Sequence, residues 1–359
     1  MARVVSVVSN GCNPDPRVLR EAQWLADCGH EVKIHAFDRL ANLPSSSEIG
    51  GVEIIRHRVG TTPYGSTWST WRGIQRFLKS VKNSVTKVDL LHCHDADTLP
   101  LLETIDANRT LFDMHDLHHT WILRDRPNSF IRKHISERMK SSMLKQVKSA
   151  DSIITSSPFF SEWLLNHGIQ SSFVENRIEK QELFPMPSKT TIGYFGKIRD
   201  VDSFDMLFQA MQSIKEEKRP KFILRGDGVS KSRVQKLISN YTNLDIEISG
   251  PFTHRDLPKL MSEISIMFAM YPLRENILAG AIPSKMFEAA AFGRPSIVNG
   301  DAPVAKICDQ ESLGKSVKWG DISGLADAIN TLDGQFIDLK WDAKREKERF
   351  LTIVDGLKI

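Results

Sequence analysis

The sequence predicts an α/β protein built from two doubly wound, Rossmann-like parallel-sheet domains that face each other across a cleft. The chain has 359 residues, a length that favours two domains over one. Short apolar segments alternate with segments of helical period, which is typical of parallel sheets covered by helices. A polar stretch with two prolines interrupts this alternation at 179–191, after which it begins again.

The predicted N-terminal domain covers residues 1–178 and opens with a βαβ unit. The β-branched run "RVVSVV" predicts a buried first strand. The segment "RVLREAQWLADCGH" has apolar residues at helical spacing before Gly29, and "EVKIHAF" predicts the second strand. A helix is expected at 68–85, and further strands are expected at 51–59, 88–95, 110–116 and 151–157.

The second half of the chain repeats this pattern after a predicted linker at 179–191. Residues 192–336 form the predicted second domain, in which "TIGYFGK", "KFILRGDG" and "SIMFAMYP" each indicate a strand that runs into a turn. Residues 337–359 contain a charged helix with a few apolar positions, and we expect it to pack back toward the N-terminal domain.

Composition excludes several classes of protein. The hydrophobic fraction is 41 % and the charged fraction is 26 %, as in ordinary soluble enzymes. A net charge of +4 is too small to indicate nucleic acid as a partner, although it is compatible with anionic ligands. No apolar segment is long enough to predict a membrane span. The four cysteines are scattered without a C-x-x-C pair, which predicts a reducing, cytoplasmic compartment.

Polar residues follow the predicted strands of the first domain, where doubly wound sheets bind their ligands. Asp15 and Arg17 come after the first strand, and His94 and Asp95 end the segment "VDLLHCHD". His115 lies in "FDMHDLHH" at the end of the next strand. These side chains suit contacts with hydroxyls and with a reacting group.

The two histidine-rich segments also have the ligand chemistry of a metal site. Neither has the H-E-x-x-H spacing of a helical zinc site, and we therefore predict no metal. His118 and His119 are expected to be solvated loop residues.

The strand ends of the second domain carry cations and glycines, which suit phosphate groups. The turn after the first strand of the chain, "SNGCNPDP", has one glycine, whereas a dinucleotide dehydrogenase would need G-x-G-x-x-G at that place. The phosphate-site candidates of the second domain are Gly196, Lys197, Arg199, Gly226, Asp227 and Phe252.

The segment "AIPSKMFEAAAFGRPSIVNG" places one carboxylate, Glu288, in a short alanine-rich helix. At about 100° per residue, the apolar residues share a face that should pack on the sheet, and Glu288 points away from it near Lys285. Gly293 and Pro295 end the helix. A carboxylate above the strand ends can accept hydrogen bonds from the vicinal hydroxyls of a ribose.

These segments together resemble one family. The run "IPSKMFEAAAFGRPSIV" resembles the nucleotide-binding segment of retaining glycosyltransferases of family 4, which have the GT-B fold, and in particular a subgroup with a P-S-K-x-F-E motif. "DPRVLREAQWLADCGHEVKIHAFD", "VDLLHCHD", "LFDMHD", "IGYFGKIRD" and "FILRGDG" are similar to other segments of the family, in the same order.

The resemblance implies a glycosyltransferase that moves a sugar from a nucleotide-sugar donor, a UDP- or GDP-sugar, to a hydroxyl acceptor such as a glycan, a lipid-linked glycan or a small molecule. It implies retention of anomeric configuration, no required cofactor and the catalytic residues His115, Lys197 and Arg199. The acceptor-side candidates are His94, Asp95, Asp15 and Arg17. The predicted nucleotide-sugar-binding residues are Gly11, Gly196, Lys197, Arg199, Gly226, Asp227, Phe252, Ser284, Lys285 and Glu288.

Two departures from the family pattern leave alternatives open. Gly280 stands where many relatives have a second glutamate, and Ser203 lies near the place of a common lysine. A nucleotide-sugar epimerase of GT-B-like fold and a nucleotide-sugar-binding protein without turnover are therefore the competing interpretations.

Two basic helices raise the hypothesis of peripheral attachment to an anionic membrane at its inner face. The predicted helix 68–85 has Trp68 and Trp71 on one side and basic residues on or beside the other, and 129–148 is a second basic helix. The competing interpretation of 68–85 is a helix that faces the core with a solvated basic face.

Overall fold

A computed structural model describes residues 1–62, 67–124 and 126–359. The chain forms two compact units, the first of Met1–Glu175 with Lys344–Ile359 and the second of Asn176–Ala343. None of the helices in the described ranges combines the length and the apolar content that crossing a membrane requires.

The first unit contains an 8-stranded sheet, ordered β3-β4-β2-β1-β5-β6-β7-β8. β3 pairs antiparallel with β4, and the other pairs are parallel. The strands are β1 Arg3–Val8, β2 Glu31–Phe37, β3 Ser46–Ile49, β4 Val52–His57, β5 Val88–His94, β6 Ala107–Met114, β7 Ser152–Thr155 and β8 Ser172–Phe173. Its first helices are α1 Pro16–Asp27, α2 Thr67–Ser84, α3 Phe130–Gln146 and α4 Pro158–Leu165.

The second unit contains a 6-stranded parallel sheet with the doubly wound order β11-β10-β9-β12-β13-β14. Its strands are β9 Thr191–Phe195, β10 Lys221–Arg225, β11 Ile246–Ser249, β12 Ile266–Ala269, β13 Ser296–Asn299 and β14 Gly314–Val317. Its helices are α5 Asp202–Ser213, α6 Lys231–Ile238, α7 Leu257–Ser262, α8 Glu275–Ala279, α9 Ser284–Ala291, α10 Val304–Gln310 and α11 Ile322–Leu332.

The last helix, α12 Lys344–Gly356, belongs to the first unit. Its Phe350 and Val354 are buried in the same core cluster as Val18 and Leu25 of α1. Apolar burial therefore holds the C-terminal end of the chain against the first sheet.

Residues 179–191 lie within the second unit. The fully buried Arg294 donates hydrogen bonds to the carbonyl oxygens of Phe184, Pro185 and Met261. These bonds satisfy the guanidinium and fix the segment that leads into β9.

The sheet order sets where ligands can bind. Strand order reverses between β1 and β5 in the first sheet and between β9 and β12 in the second. Crevices at the carboxyl ends of strands that flank such a reversal are the usual ligand sites of doubly wound sheets. The residues that follow these strands are therefore the candidates for ligand binding in each unit.

Candidate active site

A buried ion pair lies at the carboxyl end of the first sheet. Arg17 donates hydrogen bonds from Nε to Asp113 Oδ2 at 2.7 Å and from Nη2 to Asp113 Oδ1 at 2.8 Å. Its Nη1 donates to the carbonyl of Val174 at 2.6 Å. Both charged side chains are buried, so the bidentate geometry is what compensates their desolvation.

The same carboxylate orients two histidines. Asp113 Oδ2 lies 2.9 Å from His115 Nε2 and 3.2 Å from His94 Nδ1. Asp95 lies on the other side of the His115 ring, with its Oδ2 3.5 Å from Nδ1, and its Oδ1 accepts a hydrogen bond from the His115 backbone N–H. His94 is fully buried, whereas His115 is partly exposed.

The two carboxylates determine the charge of His115. Burial disfavours an imidazolium, but Asp95 and Asp113 outweigh this effect and raise the pKa of His115 to about 10. Burial also opposes the ionised form of Asp113, yet Arg17 and His115 hold its pKa well below the usual range. At neutral pH, His115 is therefore a cation that donates hydrogen bonds and is no general base.

A second layer of ionisable groups lies beneath this cluster. Glu21, His92, His94 and Asp113 bring one potential metal-ligand atom each within 4.8 Å of one another. The Arg17 guanidinium binds both oxygens of Asp113, and its Nη2 lies 3.2 Å from Glu21 Oε1. Two of the four potential metal ligands therefore already contact a positive charge. A divalent cation would be repelled by this guanidinium, and we interpret the cluster as a charge network.

Burial raises the pKa of Glu21 to about 8, although Arg17 opposes the shift. Burial and the neighbouring His94 lower the pKa of His92 well below its ordinary value. Neither carboxylate oxygen of Glu21 and neither ring nitrogen of His92 has a hydrogen-bond partner among the described residues. A protonated Glu21 beside a neutral His92 avoids the cost of burying two further charges.

The two remaining sequence candidates of the first unit have local structural roles. Asp15 caps α1 by accepting a hydrogen bond from the Val18 backbone N–H, and it also accepts one from the Asn10 side chain. The Gly11 carbonyl accepts from Arg56 Nε, and a Cβ at this glycine would lie 2.6 Å from Leu43 Cδ1.

A cavity of about 460 Å³ lies beside the histidine cluster, within the first unit. Asp97 and His118 line the cavity and approach each other to 3.4 Å. Burial alone would lower the pKa of His118, but the Asp97 carboxylate outweighs this effect and raises it to about 9. His119 is 2 % exposed. The expectation that His118 and His119 are solvated is wrong, because the turn after β6 folds back against α3.

In the second unit, the turn after β9 packs directly against the turn after β10. Gly196 has φ 140°, and its N–H donates to the Arg225 carbonyl. A Cβ at Gly226 would lie 1.9 Å from the Gly196 carbonyl oxygen, and one at Gly228 would lie 2.2 Å from the Ile198 oxygen. The glycines of "GDG" are thus required by the contact of two backbones.

Lys285 of α9 reaches this turn. Its Nζ would lie 3.0 Å from a Cβ at Gly196 and donates a hydrogen bond to the Tyr271 hydroxyl at 2.9 Å. The same ammonium lies 4.6 Å from the ring centroid of Tyr194. Tyr271 is fixed in turn by Asn299, which exchanges two hydrogen bonds of 2.8 Å with its backbone.

The other donor-site candidates surround the same turn. Lys197 and Arg199 are exposed immediately after Gly196, and Ser284 is exposed at the first position of α9. Glu288 follows Lys285 by one helical turn and is half-buried. Within the described part of the chain, neither the Lys197 nor the Glu288 side chain forms a hydrogen bond or an ion pair.

Asp227 and Phe252 lie at the ends of the neighbouring strands. The Asp227 carbonyl accepts from the Ile198 N–H, and its carboxylate is exposed 3.9 Å from Lys231. Phe252 packs edge-on against Phe195 at 6.1 Å between ring centroids.

Comparison with known proteins matches both units. A family model described as "Glycosyl transferase 4-like domain" matches residues 14–175, and one described as "Glycosyl transferases group 1" matches residues 189–333. The chain is a glycosyltransferase with the GT-B fold. No curated protein matches the sequence.

Solved structures share this fold at low sequence identity. Sucrose-phosphate synthase from Thermosynechococcus elongatus is 16 % identical with a TM-score of 0.75, over 99 % of this chain and 96 % of that chain. Anabaena HepE, in complex with UDP and glucose, is 13 % identical with a TM-score of 0.64, over 99 % and 100 %. A mutant of S. aureus TarM, in complex with Fondaparinux, alpha-GlcNAc-glycerol and UDP, is 11 % identical with a TM-score of 0.68, over 99 % of each chain.

Sequence reasoning missed several supporting residues of this glycosyltransferase. Tyr194, Tyr271 and Asn299 lie in apolar strand ends, and only the strand order shows that they converge on Lys285. Gly280 ends α8 with φ 127° and ψ 21°, a conformation that favours glycine. The position at which many relatives have a glutamate therefore has, in this chain, a backbone conformation that disfavours any residue with a side chain.

Proposed function

We propose that the second unit binds the diphosphate and ribose of a UDP-sugar. The observation that carries this proposal is that Lys285 Nζ of α9 lies against the Gly196 turn. Lys197 and Arg199 are exposed directly after this turn, so three cations lie close to one another. Cations around a glycine turn suit a diphosphate. Glu288 has a half-buried carboxylate without a partner among the described residues, and it suits the ribose diol.

In the proposed reaction, the sugar leaves the diphosphate and joins an acceptor hydroxyl with retention of configuration, as in the subgroup with the P-S-K-x-F-E motif. Lys197, Arg199 and Lys285 stabilise the negative charge that develops on the leaving diphosphate. This electrostatic contribution requires no metal. UDP is favoured over GDP because UDP is present in the HepE and TarM complexes of similar fold.

The first unit is proposed to hold the transferred sugar and the acceptor. The 3.5 Å separation of His115 Nδ1 from Asp95 is longer than a hydrogen bond, so a sugar hydroxyl can accept this proton instead. Asp95 can then accept a hydrogen bond from the same or a neighbouring hydroxyl. Arg17 and His94 are buried and act on the ligand only through Asp113 and His115.

We further propose a cytoplasmic enzyme that works at the inner face of a membrane. The four cysteines are free thiols, which suits a reducing compartment. The hypothesis of membrane attachment rests on the exposed apolar and basic residues of α3.

Calorimetry with UDP, GDP and a panel of their sugars tests the donor proposal. We expect UDP to bind more tightly than GDP, and Glu288→Gln to weaken UDP binding by about tenfold or more through loss of charged hydrogen bonds to ribose. Glu217→Gln, an exposed carboxylate of the same unit, is the matched control. Unchanged UDP affinity in Glu288→Gln would contradict the assignment of Glu288 to the ribose. Incubation with a nucleotide sugar tests transfer separately, because an epimerised nucleotide sugar as product would contradict it.

A further inference from the structure

The N-terminal end of α3 exposes an apolar stripe. Phe130 is 84 % and Ile131 is 72 % exposed, and Ile135 and Met139 are each 37 % exposed. Ile131, Ile135 and Met139 are spaced four residues apart, which places them on one helix face. We call these four residues the α3 stripe.

The same helix is strongly basic. Glu137 is its single carboxylate, against Arg132, Lys133, Arg138, Lys140 and Lys145. Arg126 lies exposed just before the helix and Lys148 just after it. The cations attract an anionic bilayer surface, and the exposed apolar side chains can enter the boundary between its headgroups and acyl chains.

The α3 stripe leads into the cavity beside the histidine cluster. Ile135 and Met139 line the cavity, and Met114 and Met143 add buried apolar lining. Methionine side chains adapt to irregular apolar ligands. Arg138 also lines the cavity, as do Asp97 and Asp116, and Asp97 lies against His118, so Arg138 is the cation that adjoins the apolar lining.

We propose that this surface takes the acceptor from an anionic membrane, and that the acceptor is an anionic amphiphile. Its polar head lies against Arg138 on the wall of the cavity, and its apolar chain leaves along the α3 stripe. The proposal rests on the proposed function, because it names the class of acceptor that the first unit presents to the donor.

The other basic helix contributes less to such a surface. In α2, Phe77, Leu78 and Val81 are buried, so most of its apolar side faces the core. Only its first turns expose Trp68 and Trp71, whose rings stack at 5.0 Å. These two tryptophans line a separate pocket with Arg72 and Arg76, whereas the pocket that the α3 stripe enters is lined by residues next to the histidine cluster.

Co-sedimentation of the full chain with vesicles tests the surface. We expect binding to vesicles of phosphatidylcholine with about one third phosphatidylglycerol at low salt, and weaker binding to phosphatidylcholine alone. Phe130→Ser with Ile131→Ser should lower binding about tenfold or more. Leu165→Ser, an exposed leucine of α4 in the same unit, is the matched control and should bind like the parent.

No binding of the parent to anionic vesicles would overturn the proposal, as would equal binding by the double variant. A dimer of the parent that the double variant loses in sedimentation equilibrium would also overturn it, because the stripe would then join two copies of the chain.

Vesicles that contain phosphatidic acid test the cavity. We expect Arg138→Gln to weaken binding several-fold more than Lys148→Gln, which removes an equal charge outside the cavity. Equal weakening would overturn the placement of the head. Calorimetry with UDP on the same preparations keeps the two proposals separate, because loss of vesicle binding with intact UDP binding contradicts this one alone.

Discussion

Arg17 and Asp113 form a bidentate buried ion pair although 96 residues separate them in the chain. The pair joins the first turn of α1 to the end of β6, and the same carboxylate contacts His94 and His115. One guanidinium thus fixes a carboxylate that orients the partly exposed His115 and, together with Asp95, determines its charge.

Arg17→Met should destabilise the first unit strongly. The variant removes both Arg17 hydrogen bonds from the buried Asp113 and leaves its charge to the neighbouring histidines, and breaking a buried pair in this way costs up to about 3–5 kcal/mol. Urea denaturation measures the change in the free energy of unfolding. Lys189→Met is the control, because its pair with Asp245 is about half exposed and should contribute at most about 1 kcal/mol. Equal losses in the two variants would show that the buried pair has no special role.

Because of His115, the free energy of unfolding should fall as the pH rises into the alkaline range. Because its pKa in the folded protein is about 10, above the ordinary value of about 6.5, the stabilisation is complete below about pH 6.5 and is lost as pH rises through 10. We expect the difference in unfolding free energy between the parent and His115→Gln to narrow between pH 7 and pH 10. A difference that stays constant over this range would mean that His115 does not carry the proton.

The strand pattern and the position of Glu288 could be predicted from the sequence, because buried parallel strands and a helix face each leave a periodic signal. The strand β3 could not, since its residues are polar and it lies at the edge of the sheet. The convergence of Tyr271 on Lys285 depends on which strands are neighbours, and the sequence alone carries no local signal for it.

The role of the two glycines in "GDG" also could not be predicted from the sequence. The pattern suggested phosphate binding, whereas Gly226 and Gly228 allow two backbone turns to touch. The short helices α4 and α10 were not predicted. The helix α11 was missed as well, although its apolar residues at 322, 325, 326, 329 and 332 follow the helical period.

Tyr271→Phe should weaken binding of UDP by positioning Lys285 less firmly. The variant removes the hydroxyl that accepts from Lys285 Nζ and keeps the ring, so we expect a loss of about threefold to tenfold in UDP affinity. Calorimetry with uridine separates this effect from a general disturbance, since uridine has no phosphate and should bind unchanged. Tyr241→Phe, which removes a hydroxyl that donates to Asp205, is the matched control. A parallel loss of uridine binding would contradict a role at the diphosphate.

Gly280→Ala should destabilise the second unit by about 1–3 kcal/mol, because a side chain at φ 127° is strained. The same strain opposes a glutamate at this position, so Gly280→Glu should lose stability at least as much and should not improve turnover. Thermal unfolding measures both effects. Gly356→Ala is the control: this glycine lies at the exposed end of α12, where an added Cβ would meet nothing within 4 Å, and alanine there should be neutral or slightly stabilising. If Gly280→Glu were as stable as the parent and more active, the backbone at 280 would not be the reason that the carboxylate is absent.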